Sequence, residues 1–134
     1  MIFLDTSFII AFELDNDAHH DAAMKLLPRV LLHDQEMTAV SDYVIDESVT
    51  VTLARTKNAA NAVRLGEQLQ QSCAMYQVDA PTFKNAWDMF RTQKNTMLSF
   101  TDCTTIALMR KNNITRLATF DQEFRKIAGI SVVP

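Results

Sequence analysis

The sequence predicts an α/β domain, a short parallel sheet with helices on both faces. Three observations carry this reading. The chain opens on a continuous apolar run, Ile2-Phe3-Leu4, that stops at Asp5. Such a run suits a strand buried on both faces of a parallel sheet. A second strand-like run, Arg116 to Phe120, also ends in an acid, Asp121. Between and after these runs, short strand-like stretches alternate with helical ones, with helices predominating. Right-handed crossovers wind that alternation into a parallel sheet.

After the first strand, Phe8 to Leu14 reads as a short buried helix, with Thr6 or Ser7 as its cap. Asp15-Asn16-Asp17 is a turn. A second helix spans Ala18 to Leu27, with Ala22, Ala23, Leu26 and Leu27 on one face, and Pro28 ends or kinks it. His19 and His20 are adjacent, so on a helix they point about 100° apart and do not easily share a metal. A solvent-exposed face accounts for both. Glu36 to Val40 is a short second strand. Ser41 or Asp42 then caps a helix running to Thr56.

That helix carries Asp46 and Glu47, and helical geometry separates them. Glu47 shares a stripe with Val44, Val51 and Ala54, whereas Asp46 has Thr50 at i+4 and looks outward. A carboxylate on an apolar stripe is costly unless paired or metal-bound, which makes Glu47 the functional candidate. Asn58 to Ser72 is a helix with Ala62, Leu65 and Leu69 inward. Ala74 to Val78 is a third strand. Pro81 suits the first turn of a helix that runs to Thr92. Its Phe83, Trp87 and Phe90 are spaced as a core stripe, the alternative being a base-stacking platform.

Arg91 to Ser99 reads as a polar loop. Ser99-Phe100-Thr101-Asp102 then resembles a capping box, with Asp in the place usually held by Glu or Gln. The helix continues to Lys111, and Asp102 shares its face with Ile106 and Met109. Stabilising the helix start by roughly 0.3–1 kcal/mol and serving a site are both open to this acid. Asn112-Asn113 closes the helix. After Asp121 comes a helix with Phe124, Ile127 and Ala128, terminated by Gly129. Ile130 to Val133 is the last strand.

A chain of 134 residues, 48% hydrophobic and 22% charged, is expected to be one domain over residues 1–134 with a substantial core. Only two glycines occur, which argues against a P-loop or a dinucleotide-binding turn. Cys73 and Cys103 lie outside any C-x-x-C pattern and read as free thiols of a reducing compartment. The N-terminus does not read as a signal peptide, and no apolar run is long enough to span a membrane. A cytoplasmic location is therefore expected. The net charge of −3 leaves no basic footprint of the kind nucleic-acid binders usually show. A cluster of metal-binding acids supplies much of that negative charge, and bound cations neutralise it locally.

Four acids are expected to meet at one edge of the sheet. Asp5 and Asp121 end strands, and Glu47 and Asp102 lie on apolar stripes near helix starts. In open α/β sheets the carboxyl ends of the strands form the ligand crevice. Carboxylates packed without a cation repel, and some keep their protons. Magnesium or manganese relieves this with hard oxygen ligands, and the absence of a His–Cys cluster argues against structural zinc. One or two such ions would activate a water and steady the leaving oxygen of a phosphodiester cleavage. Thr6 and Ser7 are candidates to orient an acid or contact phosphate, alongside helix capping. Arg91 and Lys94, before the third acidic segment, and Arg55 and Lys57, at the end of the second acidic helix, are candidates to contact RNA phosphates. Ordinary surface charge is the alternative for each.

The chain resembles the PIN-domain ribonucleases, in particular the small VapC-like toxins. The matching pieces are Ile2-Phe3-Leu4-Asp5-Thr6-Ser7, Asp17-Ala18-His19-His20, Asp46-Glu47-Ser48, Ser99-Phe100-Thr101-Asp102 and Ala118-Thr119-Phe120-Asp121-Gln122-Glu123-Phe124. Their order and spacing over the whole chain carry the resemblance. It implies a Rossmann-like sheet and Mg²⁺- or Mn²⁺-dependent RNA cleavage. It also implies a site made of Asp5, Glu47, Asp102 and Asp121, with Thr6, Ser7 and Thr119 as supporting hydroxyls. Glu123 is an alternative contributor near Asp121. It further implies homodimers and, for toxin members, a small antitoxin that occludes the site.

A catalytically silent RNA-binding or protein-interaction module on the same fold is the second reading, and the full set of acids favours the enzyme. An aspartyl-phosphate phosphatase needs a second acid two residues after the first, where this chain has Ser7. A receiver domain would pair acids at the first strand end, where Asp5 stands alone.

Overall fold

A computed structural model describes residues 1–32 and 36–134. Five strands form one sheet: β1 (Ile2–Leu4), β2 (Thr38–Ser41), β3 (Ala74–Tyr76), β4 (Arg116–Ala118) and β5 (Ser131–Val133). All pairings are parallel, and the spatial order is β3-β2-β1-β4-β5. The helices are α1 (Thr6–Glu13), α2 (His20–Leu32), α3 (Asp42–Thr56), α4 (Ala59–Ser72), α5 (Ala80–Thr92) and α6 (Phe100–Lys111), and a 3₁₀ turn covers Gln122–Lys126. Ile2, Phe3 and Leu4 are all buried, so helices cover β1 on both faces, as the apolar run predicts.

The topology fixes where a crevice forms. From β1 the chain builds outward to β2 and β3 on one side, and β4 and β5 fill the other. The order reverses between β1 and β4, the place where open α/β sheets leave room for a ligand beyond the strand ends. Leu4 lies in register with Ala118. The next residue, Asp5, still donates its N–H to the Ala118 carbonyl at 3.0 Å. Asp5 and the residues after Ala118 therefore leave the sheet side by side.

Several expectations shift. The cap of α1 is Asp5, not Thr6 or Ser7, because the Asp5 backbone is extended and its carboxylate accepts the Ser7 N–H. The second helix starts at His20, not Ala18, since the Asp17 carboxylate takes the His19 N–H at 2.9 Å in a local turn. It passes through Pro28, forgoing one backbone bond, and Ala22 is exposed while Ala23 is buried. The second strand is Thr38–Ser41 rather than Glu36–Val40. The third strand stops at Tyr76 because the Val78 N–H goes to Asp42 at 3.1 Å instead of the sheet. Asp79 caps α5, and Arg91 lies in its last turn rather than in a loop. The fourth strand ends at Ala118, two residues short of Phe120. The segment after Asp121 is a short 3₁₀ turn with Phe124 fully buried, so Ile127, Ala128 and Gly129 (φ 83°) fall beyond it in a turn. The last strand begins at Ser131 rather than Ile130.

Of the aromatic stripe of α5, Phe90 packs half-buried against the core, whereas Phe83 and Trp87 do not belong to it. Phe83 is 44% and Trp87 48% exposed, and the buried face of the helix is Thr82 and Ala86. The rings of Phe83, Trp87 and Phe90 meet that of Phe100 edge-on, with centroids 5.0, 5.9 and 6.0 Å away. An i, i+4, i+7 period marks a shared helix face without saying what covers it. Cys73 and Cys103 are free, as expected.

Unfolding in urea should separate the two kinds of aromatic position. Phe3→Ala removes a fully buried ring from the central strand and should cost roughly 3–5 kcal/mol. Phe83→Ala should cost no more than about 1 kcal/mol. Equal losses would contradict this division.

Candidate active site

Asp5 is the inner wall of the crevice. It is 4% exposed. Three donors reach its Oδ2: the Ser7 hydroxyl at 2.6 Å, the Thr119 hydroxyl at 2.7 Å and the Ser7 N–H at 3.3 Å. Among the described residues, no donor reaches Oδ1. Each hydroxyl has one proton, and both protons point at Asp5. The 3.0 Å between the Ser7 and Thr119 oxygens is then a contact between two acceptors that share one partner. Their remaining lone pairs are also used. Ser7 Oγ accepts the Phe120 N–H and Thr119 Oγ1 accepts the Asp121 N–H, each at 3.0 Å. Two small side chains thus fix Asp5 and the Thr119–Asp121 turn to each other.

Asp121 caps the 3₁₀ turn, its Oδ1 accepting the Glu123 N–H at 2.9 Å. Asp102 sits at the third position of α6 in a complete capping box. Ser99 Oγ accepts the Asp102 N–H at 3.0 Å, and Asp102 Oδ2 accepts the Ser99 N–H at 2.8 Å. Only 8% of Asp102 is exposed. The helix-start role is real, and it still leaves a buried carboxylate facing other acids. Glu47 lies half-buried on α3, and Asp46 is exposed, as the helical-face argument expects. The fully buried stripe of α3 is Val44, Ser48 and Thr52, with Glu47 on its flank, whereas Ala54 is exposed.

Electrostatics links the four acids. Burial pushes the Asp5 carboxyl above its ordinary range against the pull of the Ser7 and Thr119 bonds, and Glu47 adds to the rise. Burial also pushes Asp102 up to about 7, with the charge of Asp5 next and that of Asp121 adding further. Asp5 and Asp102 form the middle of the group, with Glu47 and Asp121 at its ends. Among the described residues, no three carboxylate, imidazole or thiol side chains converge into a ready-made metal cage.

The other expected residues divide. Thr6 is buried, and its hydroxyl has no partner among the described residues. The same holds for Ser48, Thr52 and Thr105, which the sequence did not single out. Glu123 is engaged elsewhere, held by Lys126 at 2.8 and 2.9 Å and by the Met97 N–H at 3.1 Å. Arg55 pairs with Asp17 at 2.8 Å, and Arg91 with Asp88 at 3.0 Å. Lys57 is the exposed left-handed cap of α3, and Lys94 is exposed in the loop before α6. His20 Nδ1 lies 2.8 Å from the Ala11 carbonyl oxygen. His19 instead lies flat on Phe120, with centroids 4.6 Å apart and planes 4° apart.

Comparison with known proteins points to the same chemistry. The family model described as PIN domain matches residues 2–130. The chain is 29% identical over 137 aligned positions to the 23S rRNA-specific endonuclease VapC20 of Mycobacterium tuberculosis, covering 100% of this chain and 99% of that one. The crystal structure of M. tuberculosis VapC20, described as a sarcin-ricin loop cleaving toxin, superposes with a TM-score of 0.84 at 28% identity, covering all of both chains. VapBC2 from Rickettsia felis, bound to a DNA fragment from its promoter, gives 0.70 at 15% identity over 99% of this chain and 98% of that one. A toxin–antitoxin complex from Klebsiella pneumoniae gives 0.68 at 15% identity over 100% and 97%. The last two likenesses carry the fold.

The raised Asp102 predicts how stability depends on pH. Between the ordinary value of 3.8 and about 7, the folded chain binds more protons than the unfolded one. Stability in chelator should therefore fall as pH rises through that window. Asp102→Asn keeps an oxygen for the Ser99 N–H and removes the charge. It should exceed the wild type by on the order of 2 kcal/mol near pH 8, and the gain should disappear near pH 4. Denaturant unfolding at both pH values measures this, and a variant weaker than wild type near pH 8 would refute it.

Proposed function

The chain belongs to the PIN-domain family, and on that premise we propose that it is a metal-dependent endoribonuclease, the toxin of a toxin–antitoxin pair. The observation that carries this reading is the buried Asp102, raised by its own burial and by the charges of Asp5 and Asp121 at the carboxyl edge of the sheet. A silent binding module has no use for so costly an arrangement, whereas a divalent cation turns the repulsion into binding energy.

The donor set fits such an ion. It consists of four carboxylates without thiolate or imidazole, and Asp5 Oδ1 carries no donor among the described residues. Hard oxygens suit Mg²⁺ or Mn²⁺. Magnesium keeps several of its waters, so carboxylates near enough to repel need not form a closed cage. Asp5, Glu47, Asp102 and Asp121 would hold it. When bound, the ion supplies a water of lowered pKa and positive charge for the phosphate under attack. The chain's own residues do the rest. Ser7 and Thr119 hold the Asp5 carboxylate in one rotamer, and Ser99 holds that of Asp102. Lys94 and Lys57 are exposed to meet phosphates. Arg55 and Arg91 carry carboxylate partners already, which makes them weaker candidates for phosphate contact than the two lysines.

The full-length similarity to VapC20 supports 23S rRNA as the substrate, and its sarcin-ricin loop as the segment cut. A ribosomal RNA target supports a cytoplasmic activity. Among the described residues, no helix is long and apolar enough to cross a membrane. The toxin–antitoxin neighbours support an antitoxin protein as the second partner. A homodimer is proposed on the exposed aromatic face of α5, where Phe83 and Trp87 stand in solvent in the manner of residues that a partner surface covers. Residues 1–134 act as one domain in this reading.

Two experiments test the proposal. Purified chain should cut ribosomal RNA with Mg²⁺ or Mn²⁺ and not with chelator. Asp5→Asn and Asp102→Asn should each reduce cleavage by on the order of a hundredfold or more. Retained cleavage in both variants, or in chelator, would overturn the assigned site. Trp87→Glu should convert a dimer to a monomer in light scattering after size exclusion, and a monomeric wild type would remove the dimer.

A further inference from the structure

The ribonuclease reading leaves His19 unused, and its surroundings differ from those of a surface histidine. The Phe120 ring is nearly parallel to two others. It lies 6.0 Å and 15° from Phe8 and 4.6 Å and 4° from His19. The pile runs outward, from buried Phe8 through half-buried Phe120 to exposed His19. Phe120 stands between Thr119 and Asp121, and its N–H is bonded to Ser7. The pile is therefore fastened to the bonds that orient Asp5.

The backbone that carries the imidazole is also held. The Asp17 carboxylate accepts the His19 backbone N–H at 2.9 Å through Oδ1 and binds Arg55 at 2.8 Å through Oδ2. A turn that links α1 to α2 is thereby fixed against α3. A flat ring held in place this way loses little entropy when a second flat group settles on it. Both ring nitrogens of His19 are without hydrogen-bond partners among the described residues, in contrast to His20. A cover for Phe120 alone would be better made by an aliphatic side chain, which has no polar edge to leave in solvent. Unpaired bases of RNA stack on aromatic side chains, histidine included.

We propose that His19 is a base-stacking residue of the RNA site, using its solvent face to hold a nucleobase beside Asp121. The proposal rests on the ribonuclease reading for its substrate class, and binding can be measured without cleavage. In an Asp102→Asn background, fluorescence anisotropy would follow a labelled sarcin-ricin loop hairpin and a hairpin pool with a randomised loop. His19→Ala should weaken binding of at least one RNA by roughly 5- to 150-fold. His19→Phe should restore it, and His19→Leu should not. The salt dependence should keep its slope, because no phosphate contact is lost. With Asp102 intact, His19→Ala should raise KM and leave kcat unchanged.

Binding by His19→Ala within twofold of its parent would overturn the proposal. So would rescue by Leu equal to that by Phe, which marks a mere cover for Phe120, or failure of the parent to bind either RNA. Should His19→Ala not fold, the contrast between Leu and Phe decides alone. His19-dependent binding by a wild type that never cuts RNA would sink the nuclease reading and leave the stacking residue standing.

Discussion

The arrangement of this domain depends on how one buried carboxylate is held at the end of the central strand. Asp5 ends the central strand at the point where the sheet order reverses, and it is sealed from water on nearly all sides. A buried carboxylate needs compensation. The usual compensation is a cation on the protein, and here it is two hydroxyls and one backbone N–H. Neutral donors stabilise the charge without cancelling it. The negative field survives and extends to Asp102 and, through it, to Asp121.

The same economy operates at α6. Asp102 completes the capping box that starts the helix, so one residue fixes the local backbone and presents a charge to the crevice. The helix N-terminus favours a negative charge, which offsets part of the cost of burial. It does not offset all of it, because Asp5 and Asp121 face the same carboxylate. The N-terminal end of α6 is secured at the same time to its surroundings. Gln93 accepts the Leu98 N–H at 2.9 Å, and Glu123 accepts that of Met97 at 3.1 Å. Glu123 thus serves the acid group by holding the loop before α6, while its own charge is balanced by Lys126.

What was legible in the sequence was what short range decides. The Ile2–Leu4 run, the capping box at Ser99 and the face of α3 that separates Glu47 from Asp46 each depend on residues a few positions apart. All three held. The misreadings came where a pattern is degenerate or a partner is remote. The period of Phe83, Trp87 and Phe90 is the same for a buried face and for an exposed one. The cap of α1 passed to Asp5 because the residue that ends the strand also begins the helix. The partner of Arg55 is Asp17, 38 positions earlier in the chain. Nothing local to His19 announces that Phe120 lies under its ring.

The remote contacts converge on one segment, and this explains why two hydroxyls are clustered where they are. Thr119, Phe120 and Asp121 form a segment that leaves β4 and must aim a carboxylate accurately, with backbone support only from the Thr119 N–H, which the Val133 carbonyl accepts at 3.0 Å. Backbone N–H groups freed from a sheet need partners. Ser7 and Thr119 take those of Phe120 and Asp121, while their protons remain committed to Asp5. Each hydroxyl therefore donates one bond and accepts another, and neither can rotate without breaking bonds on both sides of the crevice. Valine at position 119 would preserve the shape and lose both functions together. Serine would preserve both. The side chain is chosen for its one proton and its lone pairs, which let the first strand and the fourth settle the position of one another's acid.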